Sequence, residues 1–304
     1  MPALICGSLA FDTIATFEGR FGQQILADKI HILNVSFLVP TLRREFGGCA
    51  GNIAYTLNAL GGQASVLGAV GQDGDVYLQR MRELGIDTRH VLTVSDAYTA
   101  QAHIMTDQDN NQITAFHPGA MQQAHRIDIP AGRADIKVAI VAPDGREGML
   151  RHTEQLAAAG IPFIFDPGQQ LPQFDGEHLL TMVKRAAWVT LNDYEAHMLT
   201  ERCGLGLAEL SALPNVQGIL VTLAHEGCDV WQGGRAQRVP GVSAERVVDP
   251  TGCGDAFRAA LLFGLERGWP LPRCAELGNK VGAVKIATPG TQNFTLDRAA
   301  LGVQ

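Results

Sequence analysis

The segment 249–257 carries the residue types needed to bind an anion and to take a proton beside it. It reads Asp-Pro-Thr-Gly-Cys-Gly-Asp-Ala-Phe and leads into a helix predicted over 255–266. Gly252 and Gly254 allow successive backbone N–H groups to converge on one point, and the helix dipole adds partial positive charge there. The spacing therefore predicts an anion hole at the start of this helix.

Asp255 stands in the first turn of the same helix. The helix dipole favours its ionised form, and its carboxylate could accept a proton from a hydroxyl group lying beside the anion. An aspartate that only caps the helix is the alternative, because Asp is common at helix starts. The adjacent anion hole favours the interpretation of Asp255 as a general base.

Two further polar positions lie near the N-terminus. Segment 47–52 reads Gly-Gly-Cys-Ala-Gly-Asn and leads into a helix, and Asp12 follows the first apolar run. The glycines allow close backbone approach, and Asp12 and Asn52 could form several hydrogen bonds to vicinal hydroxyls. Turn glycines with Asn52 at a helix start would explain the same pattern.

Asn192 and Glu195 follow another apolar run and stand three residues apart at the start of a helix. Their side chains therefore share one helix face. Oxygen ligands at such a place suit Mg²⁺, which keeps several waters and takes one or two protein groups. A capping box is the alternative, and both interpretations can hold at once.

Short apolar runs and amphipathic stretches alternate along the chain and must position these residues. The runs predicted as buried strands are 3–6, 66–70, 138–141, 161–165, 188–191 and 219–222. The stretches predicted as helices include 52–60, 77–84, 148–159 and 255–266. This alternation predicts an α/β fold in three layers, with a central, mainly parallel sheet whose ligands collect at the carboxyl ends of the strands.

Two strand-rich segments, 13–46 and 98–118, interrupt the alternation. In the second, 101–106 and 112–117 flank the turn-forming run 107–111, which predicts a hairpin. We expect the two segments to pair into one small β-sheet that covers the substrate as a discontinuous lid. The predicted α/β core, which holds the anion hole and the catalytic site, consists of the remaining segments 1–12, 47–97 and 119–304.

Composition excludes several classes of function. The 304 residues carry a formal net charge of −7 without runs of like charge, so we expect no nucleic-acid partner. No apolar run approaches the roughly 20 residues that span a bilayer, so we expect no membrane partner and a cytoplasmic location. The cysteines form no CxxC pair and the histidines no HExxH spacing, which argues against zinc. GxxxxGK[ST] and a GxGxxG after the first strand are also absent.

Both glycine-rich segments resemble the signatures of the ribokinase-like (PfkB-type) carbohydrate and nucleoside kinase family. Segment 47–52 matches its GGxxxN pattern, 249–255 its DTGAGD pattern with Pro250 inserted, and 192–195 its NxxE motif. The resemblance covers essentially the whole chain. It implies ATP and Mg²⁺ as cofactors and leaves open a monovalent cation and whether the protein is a monomer or a homodimer.

The resemblance also implies a role for individual residues. Asp255 would be the catalytic base, and the anion hole would be formed by Gly252, Cys253 and Gly254. The predicted substrate-binding residues are Asp12, Gly48, Asn52, Gln112 and Phe116. The predicted ATP-binding residues are Asn192, Thr222, Gly227 and Asn279, and Glu195 would hold Mg²⁺ through water. At 224 this chain has Ala where the family usually has Gly.

Segments 107–116 and 254–259 resemble microbial nucleoside and adenosine kinases more than ribokinase. Phe116 and Met105 could cover a nucleobase or only pack in the lid. The sequence thus predicts phosphorylation of a nucleoside at the ribose 5′-hydroxyl, with adenosine as the leading candidate. A kinase for ribose, fructose or a related sugar is second. An inactive nucleotide-binding regulator and a nucleotide-dependent oxidoreductase are more remote alternatives.

Overall fold

A computed structural model describes residues 2–25, 31–109, 111–130 and 136–303. Within this part of the chain, two sheets account for the strands, and most helices flank the larger sheet. The strands are β1 Ala3–Cys6, β2 Ala10–Thr16, β3 Thr41–Gly47, β4 Ala64–Gly71, β5 Asp87–Val94, β6 Ala100–Thr106, β7 Gln112–His117, β8 Ala139–Val141, β9 Phe163–Phe165, β10 Trp188–Asn192, β11 Gly218–Thr222, β12 Gly227–Gln232 and β13 Arg235–Pro240.

Helices connect most of the successive parallel strands of the large sheet. The helices are α1 Phe21–Gln24, α2 Cys49–Ala59, α3 Asp75–Glu83, α4 Arg146–Ala158, α5 Gly176–Arg185, α6 Asp193–Cys203, α7 Leu207–Ser211, α8 Cys253–Glu266 and α9 Leu271–Lys285. In the chain, α1 lies between two strands of the small sheet. Short 3-10 helices cover Gly119–Arg126, Gly168–Gln173 and Ala224–Glu226. No helix of the described residues is both long enough and apolar enough to pass through a bilayer.

The large sheet has the order β13-β12-β11-β10-β9-β8-β1-β4-β5. Strands β1, β4, β5 and β8 to β11 run parallel, which confirms the predicted α/β fold. β12 and β13 join antiparallel at one end. The central strands are buried on both faces, because helices cover both sides of a parallel sheet.

The predicted elements are present, with small shifts of their bounds. α2 and α8 begin before the predicted 52 and 255, because their first residues are small and give no apolar periodicity. β9 begins at Phe163 and not at 161, where Pro162 lacks the N–H that a sheet ladder needs. The hairpin of β6 and β7 is confirmed, although Asn110 of its turn lies outside the described residues.

The small sheet has the order β3-β2-β6-β7 and brings together the two segments that were predicted to pair. β2 pairs in parallel with β6 and antiparallel with β3. Its first residue, Ala10, lies before the domain boundary predicted after residue 12, so that boundary falls inside a strand. Residues 26–30 of the first segment are outside the described part of the chain.

Asp73 links the small sheet to the core through two of its strands. Its Oδ1 accepts a hydrogen bond from the backbone N–H of Thr99 at 2.7 Å, just before β6. Its Oδ2 accepts from Gln101 Nε2 at 3.2 Å and from Arg44 Nη2 at 3.3 Å, on β6 and β3 respectively. One carboxylate therefore fixes two strands of the small sheet to the loop between β4 and α3.

Candidate active site

A cavity of about 580 Å³ lies between the small sheet and the carboxyl edge of the large sheet. The lining residues Ser8, Pro143, Asp166, Asn192 and Thr222 stand at or just after the ends of β1, β8, β9, β10 and β11. These five strands are neighbours, so the parallel order gathers side chains from distant parts of the sequence. We call this space the acceptor cavity.

Asp255 lies at the floor of the acceptor cavity, in the first turn of α8. Its Oδ2 accepts a hydrogen bond of 2.8 Å from Nδ2 of Asn52, which comes from the first turn of α2. Asn52 is itself held by Gln292, whose Nε2 donates to its Oδ1 at 3.0 Å and to the Tyr77 hydroxyl at 2.9 Å. Asn52, which was predicted to contact the substrate, lines the acceptor cavity and also orients the Asp255 carboxylate.

Burial raises the pKa of Asp255 to about 6, although the Arg258 charge and the Asn52 hydrogen bond oppose that rise. Burial, helped by the carboxylates of Glu45 and Asp249, raises the pKa of Asp12 to about 6 as well. A carboxylate with a pKa near 6 is a stronger base than an exposed one and is still ionised at neutral pH. Asp255 can therefore serve as a general base.

The loop before α8 is shaped to present backbone N–H groups. Gly252 has φ of +81°, where a side chain would be strained, and a Cβ there would lie 2.9 Å from Thr291 Cγ2. Gly252 and Gly254 line the acceptor cavity. Cys253 does not, and its N–H donates to Pro250 O at 3.1 Å. Of the three residues predicted to form the anion hole, Gly252 and Gly254 therefore reach the cavity, whereas the Cys253 amide is already occupied.

Two groups hold this loop in place, the half-buried Asp249 carboxylate and the buried Lys285 ammonium. The Asp249 carboxylate accepts from the N–H of Thr251 and of Gly290, each at 2.9 Å. These bonds hold the pKa of Asp249 below its usual value, even though burial is the largest influence and acts to raise it. The Lys285 ammonium is fully buried and donates to Asp249 O at 2.7 Å and to Thr288 O at 3.3 Å. Sequence reasoning missed Lys285, because a lysine at a helix end normally faces water.

Arg258 is a second residue that sequence reasoning missed. It stands three residues after Asp255 on α8, lines the acceptor cavity and has a side chain only 9% exposed. Its guanidinium donates to both carboxylate oxygens of Asp166. Nε donates to Oδ2, and Nη2 donates to Oδ1 at 2.8 Å. The three-residue spacing on α8 could have indicated that Arg258 lies on the same helix face as Asp255. Its pairing with Asp166, 92 residues away in the sequence, is visible only in the fold.

Asn192 and Glu195 form the predicted capping box. Asn192 Oδ1 accepts from the Glu195 N–H at 2.7 Å, and Glu195 Oε2 accepts from the Asn192 N–H at 2.8 Å. Both residues also line the acceptor cavity, together with Asp193. Burial is the main cause that raises the pKa of Glu195. Among the described residues no cluster of three or more His, Cys, Asp or Glu could enclose a metal.

A second cavity of about 550 Å³ adjoins the first and is lined by α8, α9 and the loop 241–250. Of the four residues predicted to bind ATP, Thr222, Gly227 and Asn279 line it, whereas Asn192 lines the acceptor cavity. Asn279 Nδ2 donates to Pro240 O at 2.9 Å and so braces the wall. The two cavities share Thr222, Ala224 and Gly254. We call the second space the nucleotide cavity.

Ala224 lies where the cavities meet and adopts φ of +50°. It is the only non-glycine residue of the described chain with a positive φ of this kind. The left-handed region favours glycine, which is the residue that the family resemblance implies here. Ala224 therefore keeps the backbone shape of a glycine at some conformational cost.

The predicted substrate residues fall into two groups. Asp12 and Gly48 line the acceptor cavity, and Gly48 has φ of +84° with no room for a Cβ beside the Ser8 and Ala10 backbones. Phe116 also lines it from β7. Gln112 does not, and lies exposed at the start of β7, with Nε2 3.5 Å from Thr106 Oγ1.

Apolar side chains of the small sheet form the outer wall of the acceptor cavity. Ala102 and Ile104 of β6 face it, and Phe116 stands opposite Ala102 in the register of β6 and β7. Met105 is not among the lining residues, because successive side chains of a strand point to opposite faces. Of the two residues predicted to cover a nucleobase, only Phe116 reaches the cavity.

Comparison with known proteins agrees with this geometry. Residues 23–298 match the pfkB family of carbohydrate kinases. The chain belongs to this family. Nucleoside kinases are among its relatives, including one from Methanothermobacter thermautotrophicus that is 29% identical over 92% of this chain and 91% of its own length.

Two solved structures of nucleoside kinases extend the comparison. A Burkholderia thailandensis nucleoside kinase in complex with inosine is 51% identical, with a TM-score of 0.87 over 98% of this chain and 95% of that chain. The Methanocaldococcus jannaschii nucleoside kinase is 25% identical, with a TM-score of 0.89 over 99% and 97%. The present pfkB family member is an ATP-dependent kinase with the ribokinase-like fold.

Proposed function

We propose that this kinase transfers the γ-phosphoryl group of ATP to the ribose 5′-hydroxyl of a nucleoside, with adenosine as the leading acceptor. The observation that carries the proposal is the position of Asp255 and Gly254. Asp255 lines the acceptor cavity, and Gly254 lines both that cavity and the nucleotide cavity. An acceptor hydroxyl at Asp255 and a phosphate at Gly254 would therefore meet.

The acceptor cavity supports a nucleoside better than a free sugar. Asp12 offers a polar end for ribose hydroxyls, while Ile104, Phe116 and Met121 offer an apolar region that a ribose alone would leave unfilled. The relatives named as nucleoside kinases support the same acceptor class. A sugar kinase for ribose or fructose stays the alternative, since the family as a whole is one of carbohydrate kinases.

Asp255 would remove the proton from the 5′-hydroxyl as its oxygen attacks the γ-phosphorus. The Asn52 amide fixes the carboxylate for that transfer. The N–H groups of Gly252 and Gly254 would stabilise the charge on the transferred group. Closure of the small sheet over the cavity would exclude water, which would otherwise compete as acceptor.

The donor set near Asn192 and Glu195 fits Mg²⁺ bound partly through water. Asp193 and Glu195 line the acceptor cavity, and Mg²⁺ commonly takes one or two carboxylates together with phosphate oxygens. Bound there, the ion would neutralise phosphate charge. We propose no direct role for a monovalent cation, since the Lys285 ammonium already supplies a fixed positive charge beneath the loop 249–252.

The proposal is tested by measuring ADP release with Mg²⁺ and ATP against six acceptors: adenosine, inosine, guanosine, cytidine, ribose and fructose. We expect every purine nucleoside to exceed both sugars in kcat/KM, with adenosine highest. Ribose or fructose exceeding all nucleosides would refute the nucleoside assignment. Inosine or guanosine exceeding adenosine would refute only the adenosine preference.

A further inference from the structure

Arg258 offers the one guanidinium that lines the acceptor cavity among the described residues. Asp166 engages its Nε and Nη2, and Nη2 also lies 4.0 Å from Glu195 Oε2. Within the described part of the chain, Nη1 has no hydrogen-bond acceptor. One end of a side chain that is nine-tenths buried is thus fixed, and the other end is free for a ligand.

The free end lies beside the predicted anion hole. A Cβ built on Gly254 would be 2.6 Å from Arg258 Nη1, so the guanidinium and the Gly254 backbone flank the same point. Gly254 is also the residue common to both cavities. A phosphoryl group that passes between the two cavities must therefore pass close to Nη1.

A phosphate ligand at this place needs positive charge beside it, because several carboxylates are already present. Those of Asp166, Glu195 and Asp255 all lie near enough to interact with the one guanidinium. A buried ion pair is weak evidence of a role in stability alone, because well-packed apolar residues often stabilise a core equally well. Arginine is, however, the side chain best suited to bind phosphate oxygens while a carboxylate holds its other edge.

We propose that Arg258 donates a hydrogen bond from Nη1 to the phosphoryl group during its transfer, while Asp166 holds the guanidinium in place. The new bond forms between the acceptor oxygen and the γ-phosphorus, and the bond from that phosphorus to the β,γ-bridging oxygen breaks. The acceptor proton goes to Asp255, and ADP leaves with the electron pair of the broken bond. Arg258 keeps its charge throughout and is a catalytic residue. This inference rests on the proposed phosphoryl transfer.

The test compares Arg258→Gln and Arg258→Lys with the parent protein and with Arg82→Gln, an exposed arginine of α3. We measure kcat, melting temperature, and the affinities for ADP alone and for ADP with aluminium fluoride, Mg²⁺ and the acceptor. Loss of one such donor typically costs 10²–10³-fold in rate, so kcat of Arg258→Gln should fall by about that factor. Affinity for the fluoride complex should fall similarly, while ADP affinity stays within about threefold.

Arg258→Lys should recover part of the loss, and Arg82→Gln should match the parent. A folded Arg258→Gln that binds the ADP–aluminium fluoride complex as tightly as the parent would overturn the proposal. If no Arg258 variant folds, a crystal structure of the parent with ADP, aluminium fluoride and acceptor decides. Nη1 within about 3 Å of a fluoride supports the contact, and a separation beyond about 4 Å excludes it.

The test of Arg258 can be separated from the test of the proposed nucleoside acceptor. The variants are assayed with whichever acceptor the parent phosphorylates best. If that acceptor is a sugar, the nucleoside assignment fails while the role of Arg258 is still tested. If a nucleoside turns over normally in Arg258→Gln, the role of Arg258 fails while the acceptor assignment stands.

Discussion

Asn52 Nδ2 and Asp255 Oδ2 lie 2.8 Å apart although 203 residues separate them in the sequence. Each belongs to one of the two glycine-rich segments that the family resemblance rests on. The amide N–H can only donate, so it favours the ionised carboxylate and turns it towards the cavity. The two segments therefore meet at one carboxylate, and α2 positions the Asp255 side chain that α8 carries.

Asp255→Asn should lower kcat by at least about a hundredfold, because general-base catalysis typically contributes 10²–10⁴-fold. ATP affinity and melting temperature should change little, since Asn keeps the shape of Asp and still accepts from Asn52. Asp75→Asn, in the exposed first turn of α3, is the matched control and should keep parental activity. A folded Asp255→Asn with kcat near that of the parent would exclude the base role.

A base role for Asp255, whose pKa is raised to about 6, predicts an acid limit of activity near that pH. A base must be deprotonated, so kcat/KM should rise with pH through about 6 and then level off, and should fall about tenfold per unit below it. Asp12 also has a pKa near 6, so the profile reports both groups together. Asn52→Leu removes a donor that lowers the pKa of Asp255, and should move the limit upward. An unchanged acid limit of kcat/KM in Asn52→Leu would contradict an influence of Asn52 on the pKa of Asp255.

Glu195→Gln should raise the Mg²⁺ concentration needed for half-maximal rate, while kcat at saturating Mg²⁺ largely recovers. Gln retains the capping hydrogen bond to Asn192 and removes only the charge, so the variant separates the two roles of Glu195. Glu201→Gln, exposed on α6, serves as the control. A Mg²⁺ titration identical to the parent would restrict Glu195 to capping.

Lys285→Met should lower both stability and kcat. Met has a similar volume but no donors, so Asp249 O and Thr288 O lose the ammonium, at a cost of about 1–3 kcal/mol for buried unpaired groups. The loop 249–252 would relax and the anion hole with it. Lys280→Met, on the exposed face of α9, should change neither quantity. Urea unfolding measures the change in stability, and kcat is measured on the same samples.

Asp73→Ala should loosen the small sheet without touching the base. Loss of its bonds to Thr99, Gln101 and Arg44 should raise the acceptor KM and increase ATP hydrolysis to water, because water is less well excluded. Asp96→Ala, an exposed turn residue, is the control. Unchanged KM together with an unchanged ratio of phosphate release to nucleotide product would show that these contacts do not govern closure.

Local patterns predicted most of the fold, because apolar runs and glycine punctuation report directly on strands and turns. The same patterns predicted that Asp255, Gly254 and Asn192 would lie at strand ends or helix starts. They could not reveal Arg258 or Lys285, whose roles depend on partners brought close only by tertiary packing. Gln112 lies on the same face of β7 as Phe116, but it stands at the far end of the hairpin, opposite Thr106, and so does not line the cavity.

The packing of α2 against α8 also bears on how the protein is made. On a ribosome adding about 5–20 residues per second, the 203 residues between Asn52 and Asp255 take roughly 10–40 s to emerge. Throughout that interval the apolar face of α2, including Ile53 and Leu57, lacks the helix that will cover it. Nascent chains stalled before residue 253 should therefore bind chaperones at this face. Synthesis of the last helices should release the chaperones.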